Sequence, residues 1–346
     1  MATITQWFEL ADAAFYSRVA LNGYDVSVAN DSHVLLDTAM GSDNSGDHVI
    51  MDACGDIASE LFPGEVAHVA THYYSEELEL LSPRSVKLLC GTNILYTHMA
   101  DQKQWALARK LRNNLNVCLF GVGMSDIGVD DHIDGYTRCF YQTVLSRDCL
   151  HSVRDGLTKR RLEEAGIDNV VNTACPTMWS LTPQRQAEIS TTRSDTVVTS
   201  ITDYCFDPVL DSLMLETLKG LYKNVVVWVQ GSHDIDWCLE KIVELSEFRF
   251  IGPNIEELNK AISTEDFDYI GTRLHAGIRC LNGLHRSLIV SIDNRARQIG
   301  LDTGLPVVER RKGFEKEIAA WVESPAKTEI ELPWQEINRW KAQFSS

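Results

Sequence analysis

The chain has 346 residues, 44% of them hydrophobic and 23% charged, with 32 Lys and Arg against 49 Asp and Glu. A net charge of −17 excludes a nucleic-acid binder, which needs a basic face to displace counterions from phosphates. The length suggests two domains of roughly 150 residues, each able to bury a core, and the composition is globular, not disordered.

The polar N-terminal stretch reads as helical, and His33 to Asp37 is a short apolar run before the turn-rich segment 41–47. Ile50, Ala53, Ile57 and Leu61 fall at helical spacing, stopped by Pro63-Gly64. Val86 to Cys90 and Val117 to Phe120 read as strands, with a crossover helix expected over 101–113. A polar linker at 185–195 precedes the strand runs Thr196 to Ser200 and Val225 to Val229, with a helix between them. Ile255, Leu258, Ala261 and Ile262 mark another helix face; strands at Asp268 to Ile270 and Ser287 to Asp293 flank a short helix. Strands alternating with helices predict parallel sheets covered on both faces. The expected architecture is α/β, with two Rossmann-like doubly wound domains at 1–190 and 191–310. Helices in 311–346 pack back on the body.

The nine cysteines have no Cys-x-x-Cys spacing, as expected of buried thiols in a reducing compartment. No signal-peptide pattern opens the sequence and no run approaches 18 apolar residues, so a cytoplasmic protein without a membrane span is expected.

Ligands of doubly wound folds gather at the carboxyl ends of strands. There the segment Gly271-Thr-Arg273-Leu-His275 carries a guanidinium and an imidazole. If it stays extended, the two share a face and suit an anionic substrate plus a proton transfer. The plain alternative is a surface arginine and a packed histidine. Arg154, in His151-Ser-Val-Arg-Asp155, is read as opening a helix. That placement fits an anion docked on the helix amides, or else a solvated pair with Asp155. In Asn44-Ser-Gly46-Asp47, Asp47 is the expected N-cap of either a substrate loop or a simple turn. Gly121-Val-Gly123 lacks the third glycine of a dinucleotide fingerprint. The other histidines show no metal-ligand pattern, and neither a nucleophile elbow nor a P-loop occurs. No metal is expected.

Taken in order, these segments resemble the polysaccharide pyruvyl transferase family over most of the chain. Asn44-x-Gly46-Asp47 is similar to its N-x-G-D opening, and Leu88-Leu-Cys-Gly91-Thr-Asn93 to a glycine-rich strand end with Cys90 replacing a glycine. Phe120-Gly-Val-Gly123 and Ser152-Val-Arg154-Asp155, with Thr158 for serine, match the next elements. Gly271-Thr-Arg-Leu-His-Ala276 matches G-x-R-L-H-A, the most specific motif. Ser291-Ile-Asp293-Asn-Arg295 resembles Y-D-x-K with Ile292 and Arg295 substituted, and Arg286-Ser287 stands where the family has a proline.

The resemblance implies a glycosyltransferase-B-like fold and transfer of the pyruvyl group of phosphoenolpyruvate to a sugar, giving a pyruvate ketal in polysaccharide, exopolysaccharide or cell-surface glycan biosynthesis. It implies phosphoenolpyruvate as co-substrate with no other cofactor, and a sugar or glycan acceptor, free or lipid-linked. By position, Arg154, Arg273 and Leu274 bind the donor and His275 is the catalytic acid. Asn44, Asp47, Asn93 and Arg295 are candidate acceptor or cleft residues, with the acceptor on the N-terminal side. Two further readings stay open: a nucleotide-sugar-dependent glycosyltransferase of the same fold, and a non-catalytic glycan-binding protein.

Overall fold

Short runs of buried apolar residues become parallel strands, and the amphipathic stretches between them become helices. The computed structural model describes residues 33–345 except 74–77, 79–84, 102–103, 106, 108–114, 126–131, 232 and 326. The helical start and most of the crossover helix expected over 101–113 lie outside the described residues. Among those described, residues up to 42, 50–176 and 333 onward form one compact unit, and 43–49 with 177–332 form a second. The boundary expected near 190 therefore moves to 176/177. Side chains tie the intervening segment to the second unit: Ser180 Oγ donates to Asn282 Oδ1 (2.8 Å), and Gln186 exchanges hydrogen bonds with the Ile330 backbone at 2.9 and 2.7 Å.

The first unit has a four-stranded sheet of β1 (Val34–Asp37), β2 (Ala67–Ala70), β3 (Lys87–Cys90) and β5 (Val117–Phe120), all parallel in the order β2-β1-β3-β5. Two small parallel pairs join β4 (Asn93–Leu95) to β6 (Gly123–Met124) and β7 (His151–Val153) to β8 (Val170–Asn172). Helices α1 (Ser45–Leu61), α2 (Gly135–Val144) and α3 (Gly156–Glu164) follow β1, β6 and β7, α1 ending two residues before Pro63. Leu36, Leu89 and Leu119 from the sheet share a core with Val144 and Leu162 from the helices.

The second unit has six parallel strands: β9 (Thr196–Thr199), β10 (Asn224–Trp228), β11 (Arg249–Ile251), β12 (Asp268–Gly271), β13 (Ser287–Ser291) and β14 (Val307–Glu309). Their order is β11-β10-β9-β12-β13-β14, so the chain winds outward from β9, then crosses back to β12. Helices α4 (Pro208–Leu221), α5 (Ile255–Thr264), α6 (Leu274–Asn282), α7 (Asn294–Thr303) and α8 (Phe314–Glu323) complete it. Strand alternation sends Val197 and Ile270 into a cluster with Met214 of α4 and Phe314 of α8. Val198 and Tyr269 go to the other face, with Leu258 of α5 and Ala276 of α6. Both faces are covered, which is why these strands read as continuous apolar runs. The last helix, α9 (Trp334–Ala342), packs in the first unit, where Trp340 stacks on Phe120 at 4.5 Å. No described helix is long and apolar enough to cross a membrane.

His151 gives the first unit a pH dependence. The ring is fully buried, Nδ1 accepting from Leu119 N–H (3.1 Å) and Nε2 donating to Ser146 O (2.8 Å). Burial lowers its pKa to about 4, against about 6.5 in an unfolded chain. The unfolded state therefore takes the proton first, and stability present above pH 6.5 is lost as pH falls from 6.5 toward 4. A difference of that size is worth about 3 kcal/mol. Thermal melts of His151→Gln are expected to lose less stability than wild type between pH 7 and 4.5.

Candidate functional site

In a doubly wound sheet the ligand crevice opens where strand order reverses, here at the carboxyl ends of β9 and β12. Gly271 closes β12 where a Cβ would lie 2.7 Å from Ser200 N, so only glycine lets the two strand ends come together. Thr272 Oγ1 lies 2.7 Å from Thr202 Oγ1 and donates to Ser200 O (3.1 Å), tying the loops that leave β12 and β9. Arg273 is the N-cap of α6, with φ −91° and ψ 105° and no side-chain cap, and Tyr269 OH holds its carbonyl at 2.9 Å. The helix begins at Leu274. This corrects the expectation of an extended 273–275: strand periodicity ends at the cap, and Arg273 and His275 do not share a face in the strand sense. Leu274 and His275 are both buried in the first turn of α6.

The Arg273 guanidinium is buried and faces two carboxylates. Its Nη2 bonds to Asp234 Oδ1 and lies 3.2 Å from Asp203 Oδ1, while Nε is buried without a hydrogen-bond partner. Asp234 is fixed in turn, its Oδ2 accepting from Gln230 N–H (3.1 Å) and Gly231 N–H (2.8 Å). Burial raises the Asp234 pKa, opposed mainly by the Arg273 charge. Tyr204, 51% exposed, lies with its ring centroid 5.6 Å from the Arg273 guanidinium carbon and 5.0 Å from that of Arg295. Arg295 sits in the first turn of α7, where Asp293 caps its N–H (2.9 Å) and pairs with its Nε at 2.7 Å.

Asn44 also belongs to the second unit. It stands immediately before α1, its Oδ1 accepting from Gly46 N–H (3.0 Å) and from Gln230 Nε2 (2.8 Å). Asn44, not Asp47, is therefore the capping side chain, and Asp47 lies inside the first turn. The chain of contacts Asn44, Gln230, Asp234, Arg273 links the first sequence motif to the most specific one. Gln230, Asp234, Asp203 and Tyr204 escaped the sequence reading, although all four closely follow β10 or β9, where the strand-end rule directs attention.

In the first unit, Arg154 does not open a helix. It follows β7, Asp155 is the N-cap of α3 with Oδ1 accepting from Thr158 N–H (2.7 Å), and α3 begins at Gly156. Nor is it solvated: Arg154 is 1% exposed. Its Nη2 bonds to Asn93 Oδ1, its Nε lies 3.9 Å from Asp155 Oδ2, and that Nε makes no hydrogen bond. Cys90 is the last residue of β3, fully buried, and the positive φ of the turn falls on Gly91 (45°) and Thr92 (63°). A cysteine is tolerated at 90 because the backbone there is still extended. Arg286, in the place of a family proline, is buried against the Trp321 ring at 4.5 Å and 3.6 Å from Asp268, a structural anchor. Among the described residues no group of three His, Cys, Asp or Glu side chains is placed to hold a metal ion.

The polysaccharide pyruvyl transferase family model matches residues 44–294, more than half of the chain. The chain belongs to this family. The matched span includes every motif residue from Asn44 to Asp293. No curated protein sequence matches the pyruvyl transferase family chain described here. Among solved structures, UDP-GlcNAc 2-epimerase of Methanocaldococcus jannaschii, in complex with UDP-GlcNAc and UDP, aligns with a TM-score of 0.54 at 10% identity over 90% of this chain and 99% of its own. A second structure of that epimerase gives 0.50 at 10% identity and the same coverage. A wall teichoic acid polymerase, TagF, aligns with a TM-score of 0.41 at 12% identity over 98% of this chain and 95% of its own. At these identities the epimerase likeness speaks to the fold, which is glycosyltransferase-B-like. Family membership makes the protein a polysaccharide pyruvyl transferase by class, acting on a sugar or glycan acceptor.

Proposed function

We propose that this pyruvyl transferase moves the pyruvyl group of phosphoenolpyruvate onto a sugar, closing a pyruvate ketal across two hydroxyls during polysaccharide or cell-surface glycan biosynthesis. The observation that carries the reading is the G-x-R-L-H-A segment at the strand-order reversal. Arg273 stands at the N-terminus of α6 without a side-chain cap, and His275 sits in its first turn. The amides of a helix start favour anionic groups, and a planar guanidinium beside them suits a phosphate or carboxylate.

In this reading Arg273 and Leu274 take the donor and His275 delivers a proton to its terminal enol carbon. The resulting cationic centre is attacked by one sugar hydroxyl. A second hydroxyl then displaces phosphate; the two hydroxyl protons balance the one delivered to carbon and the one leaving with phosphate. An imidazole is suited to giving and regaining a proton near neutral pH. For Arg154 the support is its motif and its buried Nε, which pairs with Asp155 only at 3.9 Å and makes no hydrogen bond, a donor that an anionic oxygen would satisfy. Asn44, Asp47, Asn93 and Arg295 are proposed as acceptor-side or supporting residues. No cofactor beyond phosphoenolpyruvate is invoked, and the nine free thiols fit a reducing, cytoplasmic setting.

The test is direct. Purified protein is incubated with phosphoenolpyruvate and a panel of sugars and lipid-linked glycans, following phosphate release and conversion of the acceptor to an acid-labile ketal. Both signals together are expected for at least one acceptor. Thermal stabilisation by nucleotide sugars but not by phosphoenolpyruvate, with glycosyl transfer, would overturn the donor.

A further inference from the structure

Arg273, the arginine assigned to the donor, already has anionic company. A guanidinium whose Nη2 is shared by two carboxylates must give one of them up before a phosphate or carboxylate can take that edge. The two carboxylates are held very differently. Asp234 is buried, and its oxygens accept from the amides of Gln230, Gly231 and Asp203 (3.1, 2.8 and 3.3 Å) as well as from Arg273. It cannot leave without stranding those donors. Asp203 lies in the 3₁₀ turn Asp203–Cys205 after β9, its side chain 20% exposed, and among the described residues its carboxylate is hydrogen-bonded by Arg273 alone. One side-chain rotation into solvent frees it. The next residue of the same turn, Tyr204, lies against the guanidinium (5.6 Å) and would keep it in place while Asp203 moves.

We propose that Asp203 is a displaceable counter-ion of Arg273, occupying the edge of the guanidinium that the donor's anionic group requires, and so setting the affinity for that group. The inference rests on the donor reading above. Asp234 positions Arg273 and stays, whereas Asp203 exchanges with substrate. Such a tethered carboxylate reduces the affinity for every anion by the fraction of time the guanidinium is free. Weakly held anions are thereby kept off Arg273 at concentrations where they would otherwise occupy it.

Titration calorimetry of phosphoenolpyruvate with the full chain, wild type, Asp203→Asn and Asp234→Asn, tests this. Asp203→Asn keeps the shape and removes the charge, and is expected to bind about fivefold tighter, near the upper value for a partly exposed pair. Asp234→Asn is expected to bind more weakly, because Arg273 loses its fixed anchor. Equal or weaker binding by Asp203→Asn, with wild type binding normally, would overturn the exchange. Inorganic phosphate titrated in the same way separates this from failure of the donor. If neither protein bound phosphoenolpyruvate but Asp203→Asn bound phosphate more tightly, the donor assignment would fall and the counter-ion role would stand. Equal phosphate affinity would remove that role as well.

Discussion

His275→Ala is expected to lower pyruvyl transfer from phosphoenolpyruvate by about 10²–10⁴-fold, the usual worth of a positioned general acid, while donor binding stays within a few-fold of wild type. The two readouts separate because the donor's charge is assigned to Arg273 and the proton to His275, two positions apart and on different backbone: Arg273 is an extended cap and His275 the second residue of α6. Loss of the ring removes the proton path without removing the guanidinium. The imidazole is buried, so alanine also leaves a small void at the start of α6, and a melting curve must accompany the kinetics. His275→Gln retains bulk and hydrogen bonding without a titratable proton. It is expected to melt close to wild type and remain as inactive as alanine. A near-wild-type rate in either variant would remove His275 from the chemistry, and parallel loss of donor binding would make its role structural.

What the sequence disclosed depended on distance along the chain. Strands β9 and β10 were readable because each is a local apolar run, and Gly271 to Ala276 because six consecutive residues carry the pattern. The helix start at Leu274 was not readable, since nothing in Thr272-Arg273 distinguishes an extended cap from one more strand residue. Arg154 was misplaced because β7 has only three residues and an arginine next to an aspartate reads as surface. Its hydrogen-bond partner Asn93 lies 61 positions away. Asn44 was legible as a motif, but its bond to Gln230 spans 186 positions, and the Arg273 pair with Asp234 spans 39. The stretch 185–195 resembled a linker by composition, and the domain boundary was set beside it; the bonds of Ser180 to Asn282 and of Gln186 to Ile330 tie the residues before it to the second unit. Nor does any local pattern reveal that the carboxylates of Asp203 and Asp234 neutralise Arg273, since they stand 70 and 39 positions away.

Gly123→Ala is expected to cost pyruvyl transfer about 10²-fold or more, with only moderate loss of stability. A Cβ at position 123 would press into the Arg154 Nε and the Asn93 Oδ1 and lie 2.7 Å from the Arg154 guanidinium carbon. The backbone resists moving away, because Gly123 N–H donates to Thr92 O (2.8 Å) and β6 is paired with β4. The side chain must therefore yield. Arg154 is enclosed, so its guanidinium shifts at the cost of its bond to Asn93. Misplacing a substrate-binding group by about 1 Å can cost 10²-fold in rate, whereas overpacking of this kind typically costs about 1–3 kcal/mol in stability. Arg154→Lys reaches the same end by another route, keeping the charge and removing the planar fork. It is expected to be as impaired as Gly123→Ala but without the crowding. Asn93→Ala in the Gly123→Ala background supplies the discriminating measurement. It frees space beside the new methyl group, so melting temperature should recover relative to the sum of the single changes. Activity should not recover, because Arg154 has then lost the partner that orients it. Recovery of both together would show that Gly123→Ala acts through crowding alone and that the orientation of Arg154 has no bearing on turnover.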